Sequence, residues 1–114
     1  MKMTIETVEP SLTRISLDGR LDIEGTREID QKFAFATSTK SLRLGVDLSA
    51  VSFLASIGLR TLLTAARSQA ARGGKMVLVA PTEMVRKTLE LANVESIVPI
   101  VDDWDSASTT LQSS

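Results

Sequence analysis

Ser56 and Gly58 stand two residues apart, between a short apolar run and a stretch with helical periodicity. They are where this sequence can do chemistry. A serine at the start of a helix meets backbone N–H groups without partners and the positive end of the helix dipole. Two readings of Ser56 follow. In the first it caps the helix and does nothing else, a role worth about 0.5–2 kcal/mol over Ala. In the second it accepts a phosphate. A phosphoserine there adds about −1.5 to −2 charges at the one place where backbone N–H groups welcome an anion. The fold would survive while the surface changed, and Gly58 would keep bulk out of the helix's first turn. That chemistry switches binding, not folding.

The rest of the composition removes most alternatives. The chain has 114 residues and neither His nor Cys. No Ser-His-Asp triad can be assembled, no thiolate nucleophile or disulfide exists, and the commonest metal ligands are missing. Catalysis by carboxylates or Lys stays open but disfavoured, so the expectation is a non-enzyme without cofactor or metal. A formal net charge of −1 and 4% aromatic residues leave neither a phosphate-neutralising patch nor a stacking platform, which argues against nucleic acid. No apolar run approaches the ~18 residues of a membrane span, and the first residues lack the apolar core of a signal peptide. A cytoplasmic protein without direct membrane binding is expected.

The elements that must position Ser56 are read from periodicity. Residues 3–8 and 12–17 carry apolar side chains near period two, and only Glu9-Pro10-Ser11 separates them, so they predict an antiparallel hairpin closed by Asp18-Gly19. A helix opens at Glu24 or Gly25, with Ile29, Phe33 and Ala36 on one face, and ends in the polar cluster 37–41. Residues 42–48 predict a buried strand, followed by a tight loop into a helix that starts near Ser56. Leu59, Leu62, Leu63, Ala66 and Ala70 form that helix's apolar stripe, with Gly73-Gly74 at its C-terminal cap. Residues 75–80 form another buried strand stopped by Pro81. Thr82 caps a helix with Val85, Leu89 and Ala92 inward, and Asn93 ends it in the left-handed region. Residues 97–101 give a last strand. Asp102 or Asp103 caps a final helix carrying Trp104, Ala107 and Leu111. Single helices between strands impose parallel pairing. The fold class is therefore α/β: one domain, 1–114, with an N-terminal β-hairpin, a mixed, mostly parallel sheet of four to five strands, four helices, and a frayed tail from about residue 110.

Asp47-Leu48-Ser49, then Val51-x-Phe53, then Ser56-x-Gly58-Leu59 resembles the signature loop of STAS-domain anti-sigma factor antagonists. Gly19-Arg20-Leu21-Asp22 resembles that family's turn after the second strand. Gly73-Gly74 and Val85-x-x-x-Leu89-x-Leu91 fall where the family has equivalents, so the resemblance spans nearly the whole chain. It implies the STAS fold and a partner-switching cycle. The unphosphorylated antagonist binds an anti-sigma factor that is also a serine kinase, which frees the sigma factor. The kinase phosphorylates the loop serine, matched here by Ser56, and a PP2C-type phosphatase removes the mark. The resemblance places Asp22, Ala55, Ser56, Ile57, Gly58, Arg60 and Thr61 on the partner-binding surface. It departs at Ala55, where the family usually has Asp, and at Ile57, where a small polar residue is common.

Other readings remain beside this one. An unswitched STAS scaffold in a signalling complex or transporter-associated machinery differs in its partner. A small α/β enzyme or nucleotide binder lacks a phosphate-cradling glycine loop, since Gly73-Gly74 follows a helix and precedes a strand, the reverse of such loops. Asp22 and Asp47 either close turns or flank the Ser56 loop.

Overall fold

Alternation in the first twenty residues produces the hairpin. In the computed structural model, which describes residues 1–9 and 11–112, β1 (Lys2–Glu9) pairs antiparallel with β2 (Leu12–Leu21), Met3 opposite Leu17 and Ile5 opposite Ile15. Pro10 lies outside the described residues. β2 does not stop at Asp18-Gly19. It continues to Leu21, because Gly19 takes a φ of 128° that lets the strand stay in the sheet through a bulge.

The chain then alternates helix and strand: α1 (Ile23–Ser38), β3 (Arg43–Leu54), α2 (Ser56–Ala71), β4 (Lys75–Val79), α3 (Glu83–Leu91), a 3-10 turn at Val94–Ser96, β5 (Ile100–Val101) and α4 (Trp104–Gln112). The five strands lie in the order β1-β2-β3-β4-β5, and every pair after the first is parallel. Asn93 adopts the left-handed conformation as expected (φ 54°). The final strand is shorter than 97–101 because residues 94–96 turn first. The tail is not frayed at 110. α4 runs to Gln112, and Leu111 is buried against Leu12, Val77 and Val79. Ser113 and Ser114 lie outside the described residues.

Two cores hold the sheet. The larger unites Ile15, Leu17, Leu44, Val46, Leu48 and Leu78 with Ile29 and Phe33 of α1, Leu62 and Ala66 of α2, and Val85 and Leu89 of α3. The smaller lies under α4, where Ala107 and Leu111 cover Leu12, Val77 and Val79. Trp104 lies over Gly45, where an added Cβ would come within 2.5 Å of the indole ring.

Beside that indole, the guanidinium of Arg14 stacks at 5.3 Å and donates to Asp47. Asp47 also accepts from the Ser49 N–H at 2.9 Å. Asp47 is thus part of the α4-side packing of the sheet. Burial opposes its ionisation, but the hydrogen bonds from Arg14 and Ser49 outweigh that and hold its carboxyl below the ordinary value of 3.8. A carboxylate lowered in this way adds stability above its unfolded value and loses it as pH falls through its lower folded value. Thermal melts of Asp47→Asn are therefore expected to show a flatter loss of midpoint below about pH 4 than wild type. An unchanged acid limb would mean that Arg14 and Asp47 do not interact in solution.

Candidate functional site

The expected loop before Ser56 is strand. β3 runs on to Leu54, with two shifts of register against β2: Ser16 pairs with Asp47 but Asp18 with Ala50, and Gly19 with Val51 but Arg20 with Phe53. These bulges expose Ser49 and Ala50 in succession. The alternation that marks a strand is lost there, and the segment reads as a loop.

The strand's length decides which residue caps α2. The Ala55 N–H donates to the Leu21 carbonyl at 2.9 Å, tying the end of β3 to the end of β2. Ala55 has extended geometry (φ −92°, ψ 168°) and takes the N-cap position, and its carbonyl accepts the first intrahelical bond, from Leu59 N–H at 3.0 Å. Ser56 is thus the first helical residue, and the expectation that its hydroxyl caps the helix is corrected. A methyl group stands at the cap and cannot accept a hydrogen bond. The other three α-helices are capped differently: Asp22 accepts from Gly25 N–H at 2.8 Å, Thr82 from Val85 N–H at 3.4 Å, and Asp103 from Ser106 N–H at 2.8 Å. Ser56 itself is exposed. The start of α2 therefore offers N–H groups without a side-chain acceptor, beside a hydroxyl open to solvent.

Gly58 brings that terminus close to the sheet. A Cβ there would stand 2.8 Å from Leu21 Cβ and 2.9 Å from the Leu21 carbonyl oxygen. Gly58 is buried, so of the expected partner-contacting residues it is the one that positions the site from beneath.

Around Ser56 the surface is built by β2, α1 and α2. Asp22 follows Leu21, caps α1 and pairs with Arg20 Nε at 3.3 Å. The Gly25 N–H is the main reason its carboxyl is lowered, with burial opposing and Arg20 assisting. Arg20 lies over the Phe53 ring at 4.5 Å. This pair was missed in the sequence. Both residues sit in quoted motifs, but only the bulged register brings them side by side. Ile23 is 57% exposed at the start of α1. Ile57, Arg60 and Thr61 line a groove of about 500 Å³ between α1 and α2, facing Asp30, Phe33 and Ala34. The Thr61 hydroxyl donates to the Ile57 carbonyl at 3.2 Å. Asp22, Ala55, Ser56, Ile57, Arg60 and Thr61 thus fall around one end of the sheet, and Asp47 does not join them.

The family model described as Mlab, STAS domain, matches residues 6–101. The chain belongs to the STAS family. BtrV of Bordetella bronchiseptica, named as a candidate anti-sigma factor antagonist, is 23% identical over 112 residues, spanning 98% of this chain and 96% of BtrV. A Thermotoga maritima structure described in the same terms superposes with a TM-score of 0.87 at 23% identity, over 96% of this chain and 94% of that one. The Bacillus cell-fate determinant SpoIIAA, solved in its phosphorylated form, gives 0.71 at 20% identity, over 96% and 99%. Like these STAS folds, this chain has a five-stranded mixed sheet with an N-terminal hairpin and four helices. Among the described residues no cluster of His, Cys, Asp or Glu has the makings of a metal site. No helix among them is long and apolar enough to cross a membrane.

Proposed function

We propose that this chain is an anti-sigma factor antagonist whose binding is switched by phosphorylation of Ser56. The observation that carries the reading is the uncapped start of α2 with an exposed serine as its first residue. A phosphate on that hydroxyl would lie by N–H groups that no side chain occupies, so modification is compatible with the fold. The names carried by BtrV and the Thermotoga protein, and the phosphorylated form of SpoIIAA, support the same reading.

The partner in this reading is an anti-sigma factor with serine kinase activity. It docks over Ser56, Ile57, Arg60 and Thr61 on α2 and over Asp22 beside them, and it supplies the nucleotide and metal for the transfer. Phosphorylation then places a dianion in the centre of the contact and the complex separates; a PP2C-type phosphatase resets it. Ala55 leaves no acidic side chain directly before the serine. Asp22 supplies one from the neighbouring strand end, next to Leu21, whose carbonyl holds Ala55. The protein's part is that of ligand and substrate, acting in the cytoplasm.

The test is an affinity capture from host lysate with wild type, Ser56→Ala and Ser56→Asp as parallel baits. Recovery of a serine kinase by the first two and not the third is the expected result, together with phosphate mapped to Ser56. If all three baits recover the same partner, the chain is a constitutive scaffold instead.

A further inference from the structure

The flank of the molecule furthest from β5 is an open sheet edge. β1 is bonded to β2 on one side only, and nearly all its residues are exposed. Edges of this kind pair with other strands unless something blocks them. Its regular part runs from Lys2 to Thr7, where the register shifts. Within it the order Lys2-Met3-Thr4-Ile5-Glu6 has a property that a blocking sequence would not need: it complements itself when reversed.

We propose that β1 pairs antiparallel with β1 of a second copy of this chain, about a two-fold axis passing by Thr4. Two strands related by an axis normal to the sheet keep the same face upward, so opposed residues must have the same parity. Centring the axis on Thr4 satisfies this and sets Lys2 opposite Glu6 of the second copy, Met3 opposite Ile5, and Thr4 opposite Thr4. Charge meets opposite charge, and apolar meets apolar.

The neighbouring strand strengthens the argument. Within one copy Asp18 of β2 already lies opposite Lys2, and Arg14 lies opposite Glu6. The proposed register therefore continues one ladder across the junction: Asp18, Lys2, then Glu6 and Arg14 of the second copy, negative and positive in turn. Opposite charges on facing strands attract and like charges repel, so this pattern favours the register and disfavours its slips. On the other face Ile5 is 52% exposed and Met3 packs against the main core. Glu28 of α1 holds the Met1 amino group at 2.7 Å, which places that side of α1 next to β1. Phe35, 71% exposed, lies two turns further along the same side. Pairing would set two such flanks facing each other above Met3 and Ile5, giving these apolar side chains something to cover them. The surface holding Ser56 lies two strands away, at the end of β3, and stays open in both copies.

The absence of cysteine makes the register directly testable. Opposed residues of an antiparallel pair have Cβ atoms about 4.5–5.5 Å apart, close enough for oxidation to join them with modest adjustment. Thr4→Cys is expected to yield a disulfide-linked dimer. Thr7→Cys, whose symmetry mate would be about 20 Å distant at ~3.3 Å per residue, is not. Sedimentation equilibrium of wild type from about 10 μM to 1 mM should show a reversible dimer, and Ile5→Lys should weaken it at least about tenfold while circular dichroism confirms the fold. A wild-type monomer across that range would overturn the proposal. So would a dimer that Ile5→Lys leaves untouched, or equal cross-linking at both cysteine positions.

Discussion

Replacing Gln69 by Leu is expected to cost this protein about 3 kcal/mol of stability, although leucine is the more hydrophobic side chain and the site is fully buried. The Gln69 amide donates to the Thr37 carbonyl at 2.6 Å and to the Lys40 carbonyl at 3.0 Å, and its oxygen accepts from Leu42 N–H at 2.7 Å. One side chain thus satisfies three backbone groups of the connection from α1 to β3. A buried polar group left without a partner costs about 1–3 kcal/mol, less where water can reach it. Two of the three bonds are only partly buried, which keeps the expected sum near the lower end. The thermal midpoint should fall by roughly 10–15 °C, measured by circular dichroism. Gln69→Glu separates hydrogen bonding from shape. It retains an acceptor for Leu42 but turns a carboxylate toward two carbonyls, and should be worse than Leu. A Leu variant as stable as wild type would show that the connection holds itself without the amide.

Gln69 also marks where sequence reading ran out. The apolar stripe Leu59, Leu62, Leu63, Ala66, Ala70 identified the helix, but the buried side is Gly58, Leu62, Ala65, Ala66 and Gln69. Hydropathy favours Leu59 and Leu63, which are half-buried, and passes over a glutamine whose burial is made possible by backbone partners far along the chain. Ala92 was expected inward and lies exposed at the end of α3 for a related reason: the helix stops one residue earlier, and the chain turns away at Asn93. The order of strands and helices along the chain, the cap Thr82, and a cap at Asp102 or Asp103 (Asp103 in the structure) were legible because each depends on neighbours within a few positions. The length of β3 was not, because its bulges are defined only against β2. That single difference moved Ser56 from cap to first helical residue. The bond from Ala55 N–H to the Leu21 carbonyl brings the ends of β2 and β3 together, and with them Asp22 and Ser56.

Moving Ser56 by one position also yields the sharpest expectation for the switch. At an N-cap, Ser56→Ala would remove a hydrogen bond and destabilise the fold; at the first helical position there is none to lose, so the variant should unfold within about 0.5 kcal/mol of wild type. Ser56→Asp places a carboxylate in the first turn of a helix without a side-chain cap, where it interacts favourably with the dipole by about 0.3–1 kcal/mol. Its thermal midpoint should therefore equal or exceed that of wild type. Binding should move the other way. A charge buried in a contact without a partner costs about 2–5 kcal/mol, so affinity for the partner captured by wild type should fall at least about 30-fold by calorimetry, while Ser56→Ala stays within a few fold. The two readouts must diverge: a carboxylate that helps the fold and harms the complex acts on the surface alone. If Ser56→Asp lost stability and affinity together, the serine would be holding α2 in place, and the loss of binding would be a consequence of a displaced helix.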